Sequence, residues 1–249
     1  MRCVNDEIFE CISLQDFKGA LNLLKTFHKS PWTAAYLRGF CYKQIGDYKS
    51  AIRNYRDALK SSPDQALVLN AMGIAYQCLG MYDDAEYCFG YSSKLIASLT
   101  RFSSILFEIN RKELHADALN NLGVTLHLKS DLCQYPRFFA KRSLMAHLQA
   151  LSIFEQKLKI QLAVCDLNSA HGNEDKKIEC LQSLKKSRNE TPFWTVLKIN
   201  LAAQYFRVGD IANSNRCISN CIAMIDEENK YWSKAQNLLL HIKSLGSIH

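Results

Sequence analysis

Few residues in this chain have the type and spacing to do chemistry. Cys217 and Cys221 are four apart and so share one helix face, where two thiolates could ligand a metal. Two small apolar thiols at that spacing also suit the seam of a packed helix pair, because free Cys behaves as a small hydrophobe. His115, His127 and His147 form the one histidine cluster, are expected on three different helices, and have no thiol or carboxylate at ligand spacing. Arg137, Lys141 and Arg142 interleave with Phe138 and Phe139. Charge plus stacking could hold a single nucleic-acid strand, but adjacent rings equally suit packing into a neighbouring element. Phosphate-cradling glycine loops, G-x-G-x-x-G, H-E-x-x-H, G-x-S-x-G and C-x-x-C are all absent. No catalytic residue, metal or cofactor is expected.

Composition agrees. The 249 residues carry 31 Lys+Arg against 24 Asp+Glu, a net charge of +7. That is a mild excess, short of the concentrated basic footprint of a dedicated nucleic-acid binder. Ten Gly and four Pro are too few for a chain of many tight turns, so helix should dominate. Ten scattered cysteines without an export-type start read as reduced thiols, which points to a cytoplasmic protein. No apolar run reaches the roughly 18 residues of a membrane span.

The elements repeat. Adding 34 to Gly39, Tyr42, Gly46, Tyr48, Ala51 and Tyr55 gives Gly73, Tyr76, Gly80, Tyr82, Ala85 and Phe89. Gly39 and Gly73 fall mid-helix, where glycine costs about 1 kcal/mol against alanine; a residue that small is useful where two helices approach closely. Gly46 and Gly80 end the first helix of each unit in a left-handed cap. Asp47 and Asp83 cap, or charge-stabilise, the second helix. Pro63 closes a unit.

The run from Gly39 to Ala58, with Pro63 after it, resembles a tetratricopeptide repeat (TPR), and Gly73 to Phe89 matches nearly as well. The resemblance implies an all-α, right-handed solenoid of helix pairs over 1–249, with repeats near 3–30, 33–63, 66–98, 115–155, 157–188 and 193–226. A helical insert at 94–113 breaks the period, because Gly73 and Gly123 are 50 residues apart. A lengthened second helix or an added one accounts for it. About eight extra residues fall around Asp131 to Ala140. Leu158–Ala170 and Asp175–Lys186 form a weak pair around Gly172, and a cap spans 229–246.

The family's inward positions correspond here to Tyr36, Phe40, Lys43, Asn70, Ile74, Gln77, Asn120, Val124, His127 and Phe206, together with Ile199 and Ala203. The resemblance implies that these hold a peptide or helix of another protein, apolar anchors supplying area and amides fixing register. The carboxylate clamp that holds heat-shock tails in some family members is missing: its positions are Tyr36, Phe40, Ala71, Asp117 and Asn121, or one repeat earlier Asn5, Phe9, Leu37, Leu67 and Ala71. The expected function is a non-catalytic adaptor or chaperone. The alternative is a regulatory sensor that binds a short signalling peptide and controls a partner by changing curvature.

Overall fold

The computed structural model describes residues 4–27, 30–98, 105–170, 192–223, 225 and 231–246. Every regular element among them is an α-helix. The chain divides into two compact units, Met1–Leu99 and Thr100–His249.

The first unit holds α1 (Val4–Ser13), α2 (Phe17–Leu23), α3 (Pro31–Ile45), α4 (Tyr48–Leu59), α5 (Gln65–Cys78) and α6 (Tyr82–Ser98). The helices pack in chain order, and α3 also touches α5, so the first helices of successive pairs lie side by side. Helix α4 buries Ala51, Ile52, Tyr55 and Ala58 on one stripe, the small-large-small rhythm visible in the sequence. Helix α5 buries Ala66, Val68, Leu69, Ala71, Met72, Ala75 and Tyr76 around most of its circumference, as a helix with neighbours on several sides must.

The helix ends follow the glycines. Gly46, Gly80 and Gly209 have φ of 90°, 73° and 86°, the left-handed region that glycine enters without a Cβ penalty. Each sits in the same double hydrogen bond. Asp47 N donates to Tyr42 O and Gly46 N to Lys43 O; Met81 and Asp210 repeat the first bond to Tyr76 and Tyr205. This Schellman arrangement satisfies carbonyls the helix leaves open. Asp47 then caps α4 by accepting from Ser50 N at 3.0 Å. Asp83 does not cap α6; it lies inside its first turn with Asp84, where negative charge suits the helix N-terminus.

The second unit holds α7 (Ile105–Leu132), α8 (Pro136–Ala170), α9 (Pro192–Arg207), α10 (Ile211–Ile222) and α11 (Trp232–Gly246). Helix α9 packs on both α7 and α8, α10 on α9, and α11 on α10. Two expectations change here. Residues 105–113 of the insert lengthen a first helix, α7, rather than a second one. Leu158–Ala170 opens no new helix but continues α8, which runs for 35 residues. The reason is local: between Pro136 and Ala170 no glycine or proline interrupts the helix. Asp175–Lys186 and Gly172 lie outside the described residues. Because α7 is continuous, His115 and His127 share one helix, and only His147 is on another. Residues 136–140, expected between helices, are the first turn of α8. Helix α11 lays Ala235 and Ile242 on a core that includes Ala202, Ile218 and Cys221.

Candidate functional site: faces of the first helices

In four of the helix pairs a small residue on the first helix meets a large one on the second. A Cβ on Gly39 would stand 2.7 Å from the Tyr55 ring, one on Gly73 2.7 Å from Phe89, and one on Gly123 2.6 Å from the imidazole of His147. In α9 and α10 the equivalent pair is Ala202 and Ile218, both fully buried in one cluster. As the small partner grows by a methyl, the large one shrinks from a ring to an aliphatic chain. Two serines pin the same seam. Ser143 Oγ donates to Gly123 O at 2.6 Å and Ser214 Oγ to Ala202 O at 2.7 Å. This seam fixes the rotation of each first helix about its axis, and with it the placement of the side chains spaced i, i+4, i+7 beside it.

In the first unit that spacing is Tyr36, Phe40 and Lys43 on α3. All three are half-buried. The Tyr36 ring lies 5.7 Å from that of Tyr55, and burial, with Asp64 nearby, pushes its hydroxyl pKa up. Phe40 meets Phe17 of α2 edge-on at 6.3 Å. The Lys43 ammonium stands 5.3 Å from the Phe40 ring, and burial lowers its pKa. On α5, Ile74 and Gln77 are half-buried, whereas Asn70 is buried. Aromatic, aliphatic, amide and cationic groups therefore share one face.

The second unit treats the same positions differently. Asn120 is buried, and its Oδ1 accepts from Asn200 Nδ2 of α9 at 3.4 Å. Gln204 Nε2 lies 2.8 Å from His127 Nδ1. Arg207 donates to Ser130 Oγ at 3.1 Å and pairs with Asp131 at 2.6 Å. Burial, then the Arg207 charge, lowers the His127 pKa; a neutral ring can accept from the amide. Val124 is half-buried, and Phe206 meets His241 edge-on at 5.3 Å. Ala203 is half-buried, but Ile199 is 2% exposed within a core cluster, so it lines no open face. Asn200, Gln204 and Arg207 went unread in the sequence, although they too are spaced i, i+4, i+7.

The remaining candidates are the paired cysteines of α10 and His147. Cys221 is buried on α10, with its thiol pKa pushed up to about 11 by burial, and Cys217 shifts the same way. Among the described residues no three His, Cys, Asp or Glu side chains group as metal ligands. Among them no helix is long and apolar enough to cross a membrane. His147 is fully buried; its ring nitrogens have no hydrogen-bond partner, and burial drives its pKa down to about 3.

Residues 41–80, from the middle of α3 through α5 and its glycine cap, match the family model described as a TPR repeat. Over that segment the chain is similar to the tetratricopeptide-repeat family. No curated protein sequence matches it. Among solved structures, the assembly chaperone of RpL4 (Acl4) aligns at 12% identity with a TM-score of 0.50, covering 98% of this chain and 96% of that one. That likeness is one of fold. A thermophilic TPR protein from Thermus thermophilus aligns at 14% identity and TM-score 0.42, covering 84% of this chain and 99% of its own. A tetratricopeptide repeat protein from Parabacteroides merdae aligns at 13% and 0.35, with coverage of 96% and 97%. TPR arrays present repeated helix faces to other proteins.

Proposed function

We propose that this TPR protein is a non-catalytic adaptor or chaperone that binds a peptide or helical segment of a partner protein on the face of α3 and α5. The observation that carries this reading is the half-exposed set Tyr36, Phe40, Lys43, Ile74 and Gln77 on two adjacent first helices. A half-exposed ring has area left to bury, which is how aromatic anchors give affinity. Gln77 supplies an amide that can bond a peptide backbone. In the second unit, Asn120 and His127 bond α9.

The test is affinity capture with wild type beside Tyr36→Ala/Lys43→Ala. Tyr36 and Phe40 both pack on neighbouring rings, so only one of the two is changed and capture is read beside helical circular dichroism. The expected outcome is selective loss of one set of proteins. A double variant that keeps its helical circular dichroism and still captures every partner would remove this face from consideration.

A further inference from the structure

The α7/α8 hairpin is longer than the others at its turn. From the seam residue to the end of the first helix is six residues in α3 (Gly39 to Ile45), five in α5 (Gly73 to Cys78), five in α9 (Ala202 to Arg207) and nine in α7 (Gly123 to Leu132). From the start of the second helix to the seam is seven residues in α4 (Tyr48 to Tyr55), α6 (Tyr82 to Phe89) and α10 (Ile211 to Ile218), but eleven in α8 (Pro136 to His147). Each helix of this pair thus gains about one turn, about 5 Å. The extension is ordered locally. The Tyr135 carbonyl accepts from Phe138 N at 3.1 Å and Phe139 N at 3.4 Å, and Ser130 Oγ donates to the His127 carbonyl at 2.7 Å.

The extra turn carries apolar and cationic side chains. Leu132, Tyr135 and Phe138 are 73%, 69% and 58% exposed, and Arg137 and Lys141 are exposed beside them in sequence. Between His127 and Met145 the one carboxylate is Asp131, and Arg207 pairs with it at 2.6 Å. The openness of this end follows from the hairpin itself. The α3/α4 pair has α2 on one side and α5 on the other, yet at its turn Gln44, Ile45, Gly46 and Asp47 are all exposed. Flanking pairs leave this end of a hairpin uncovered, and the α7/α8 turn stands a further helical turn from its seam.

We propose that the α7/α8 turn is an anchor for the surface of an anionic lipid bilayer. Leu132, Tyr135 and Phe138 enter the interface, and Arg137 and Lys141 meet the negative headgroups. The turn lies in the interface and spans nothing. A lipid interface takes large apolar side chains from a protruding turn without needing a matching shape. Tyrosine suits the headgroup level, its ring among acyl chains and its hydroxyl in water. Exposed cations beside these side chains, with the one nearby carboxylate already paired, complement the negative surface potential of such a bilayer. Two weak signals, a small apolar wedge and local positive charge, hold a surface together better than either alone. A nucleic-acid strand fits less well, because Phe138 is set edge-to-face with Phe139 at 81° and the two rings form no platform for stacked bases.

The experiment floats the full chain with phosphatidylcholine–phosphatidylserine vesicles, beside pure phosphatidylcholine vesicles and a labelled oligothymidylate. The anionic vesicles should carry the protein, and the neutral ones should bind it at least about tenfold more weakly. Arg137→Glu/Lys141→Glu and Leu132→Ser/Phe138→Ser should each lower partitioning by about tenfold. All four residues are exposed, so helical circular dichroism should be retained; the charge variant decides the matter alone if the serine variant fails to fold. Tyr135→Trp reports depth: brominated lipid should quench the fluorescence it adds over wild type. Tyr36→Ala/Lys43→Ala should leave vesicle binding unchanged, which separates this site from the α3/α5 face. No binding to anionic vesicles, equal binding to both kinds, an unaffected Arg137→Glu/Lys141→Glu variant, no quenching in Tyr135→Trp, or preferred oligothymidylate binding lost in the charge variant would each overturn the proposal.

Discussion

The Gly39 backbone lies against the ring of Tyr55 so closely that an added Cβ would fall 2.7 Å from two of its carbons. Tyr55 is fully buried, so the ring has little room to yield. Gly39→Ala should gain about 1 kcal/mol of helix propensity yet destabilise on balance, since overpacking costs about 1–3 kcal/mol. Urea unfolding measures the sign. Adding Tyr55→Ile, which copies the Ala202/Ile218 pairing, should recover part of the loss. Strict additivity of the two substitutions would contradict the seam as described.

His147 fills the same slot as Tyr55 and Phe89, but with an ionisable ring. Its folded pKa, about 3, is depressed below the usual value. Below about pH 6.5 the unfolded chain takes up a proton that the folded chain refuses. Stability is therefore fully present above that pH and falls as the pH drops toward 3, with a limiting slope of about 1.4 kcal/mol per pH unit. His147→Phe should flatten the urea midpoint between pH 6 and 4, roughly the upper part of that window, and should stabilise the protein by removing two buried, unpartnered nitrogens. An unchanged pH profile would place the acid sensitivity elsewhere.

Unit-specific roles for equivalent residues make a third expectation. His127→Ala strands the buried amide of Gln204 and should cost about 1–3 kcal/mol of stability. Lys43→Ala, which removes a half-buried ammonium lying over Phe40, should leave the unfolding midpoint nearly unchanged and act on partner affinity. Thermal unfolding beside capture yields separates the two effects.

The helix caps can be weighed singly. Asp64 accepts from Leu67 N at 3.0 Å at the start of α5. Asp64→Ala should cost about 1 kcal/mol, and Asp64→Asn far less, measured by denaturant midpoint at constant slope.

Thiol reactivity should follow burial. Burial raises the Cys41 and Cys88 pKa values to about 11 and about 12, so few thiolates exist at neutral pH. Cys78 is exposed. Brief native alkylation, read by peptide mass spectrometry, should mark Cys78 well before Cys41, Cys88 and Cys221. Equal labelling of all four would mean that the helix pairs open readily.

The sequence alone determined what is local or repeats within one period. The caps at Gly46 and Gly80 were legible because only glycine takes that backbone without strain. The tight approach at Gly39 and Gly73 was legible because a mid-helix glycine has a propensity cost that packing must offset. The length of α8 was harder to read, since a helix without glycine or proline beyond its first residue has no local stop and runs as far as its neighbours support it. Tertiary structure decided the rest. Asn120 and Asn200 are 80 residues apart yet bonded, and His127 meets Gln204 across a similar span. Spacing along each helix marks such residues as sharing a face, but whether that face meets another helix or stays open depends on which helices stack. That is set by the summed burial of whole surfaces, which no short motif encodes.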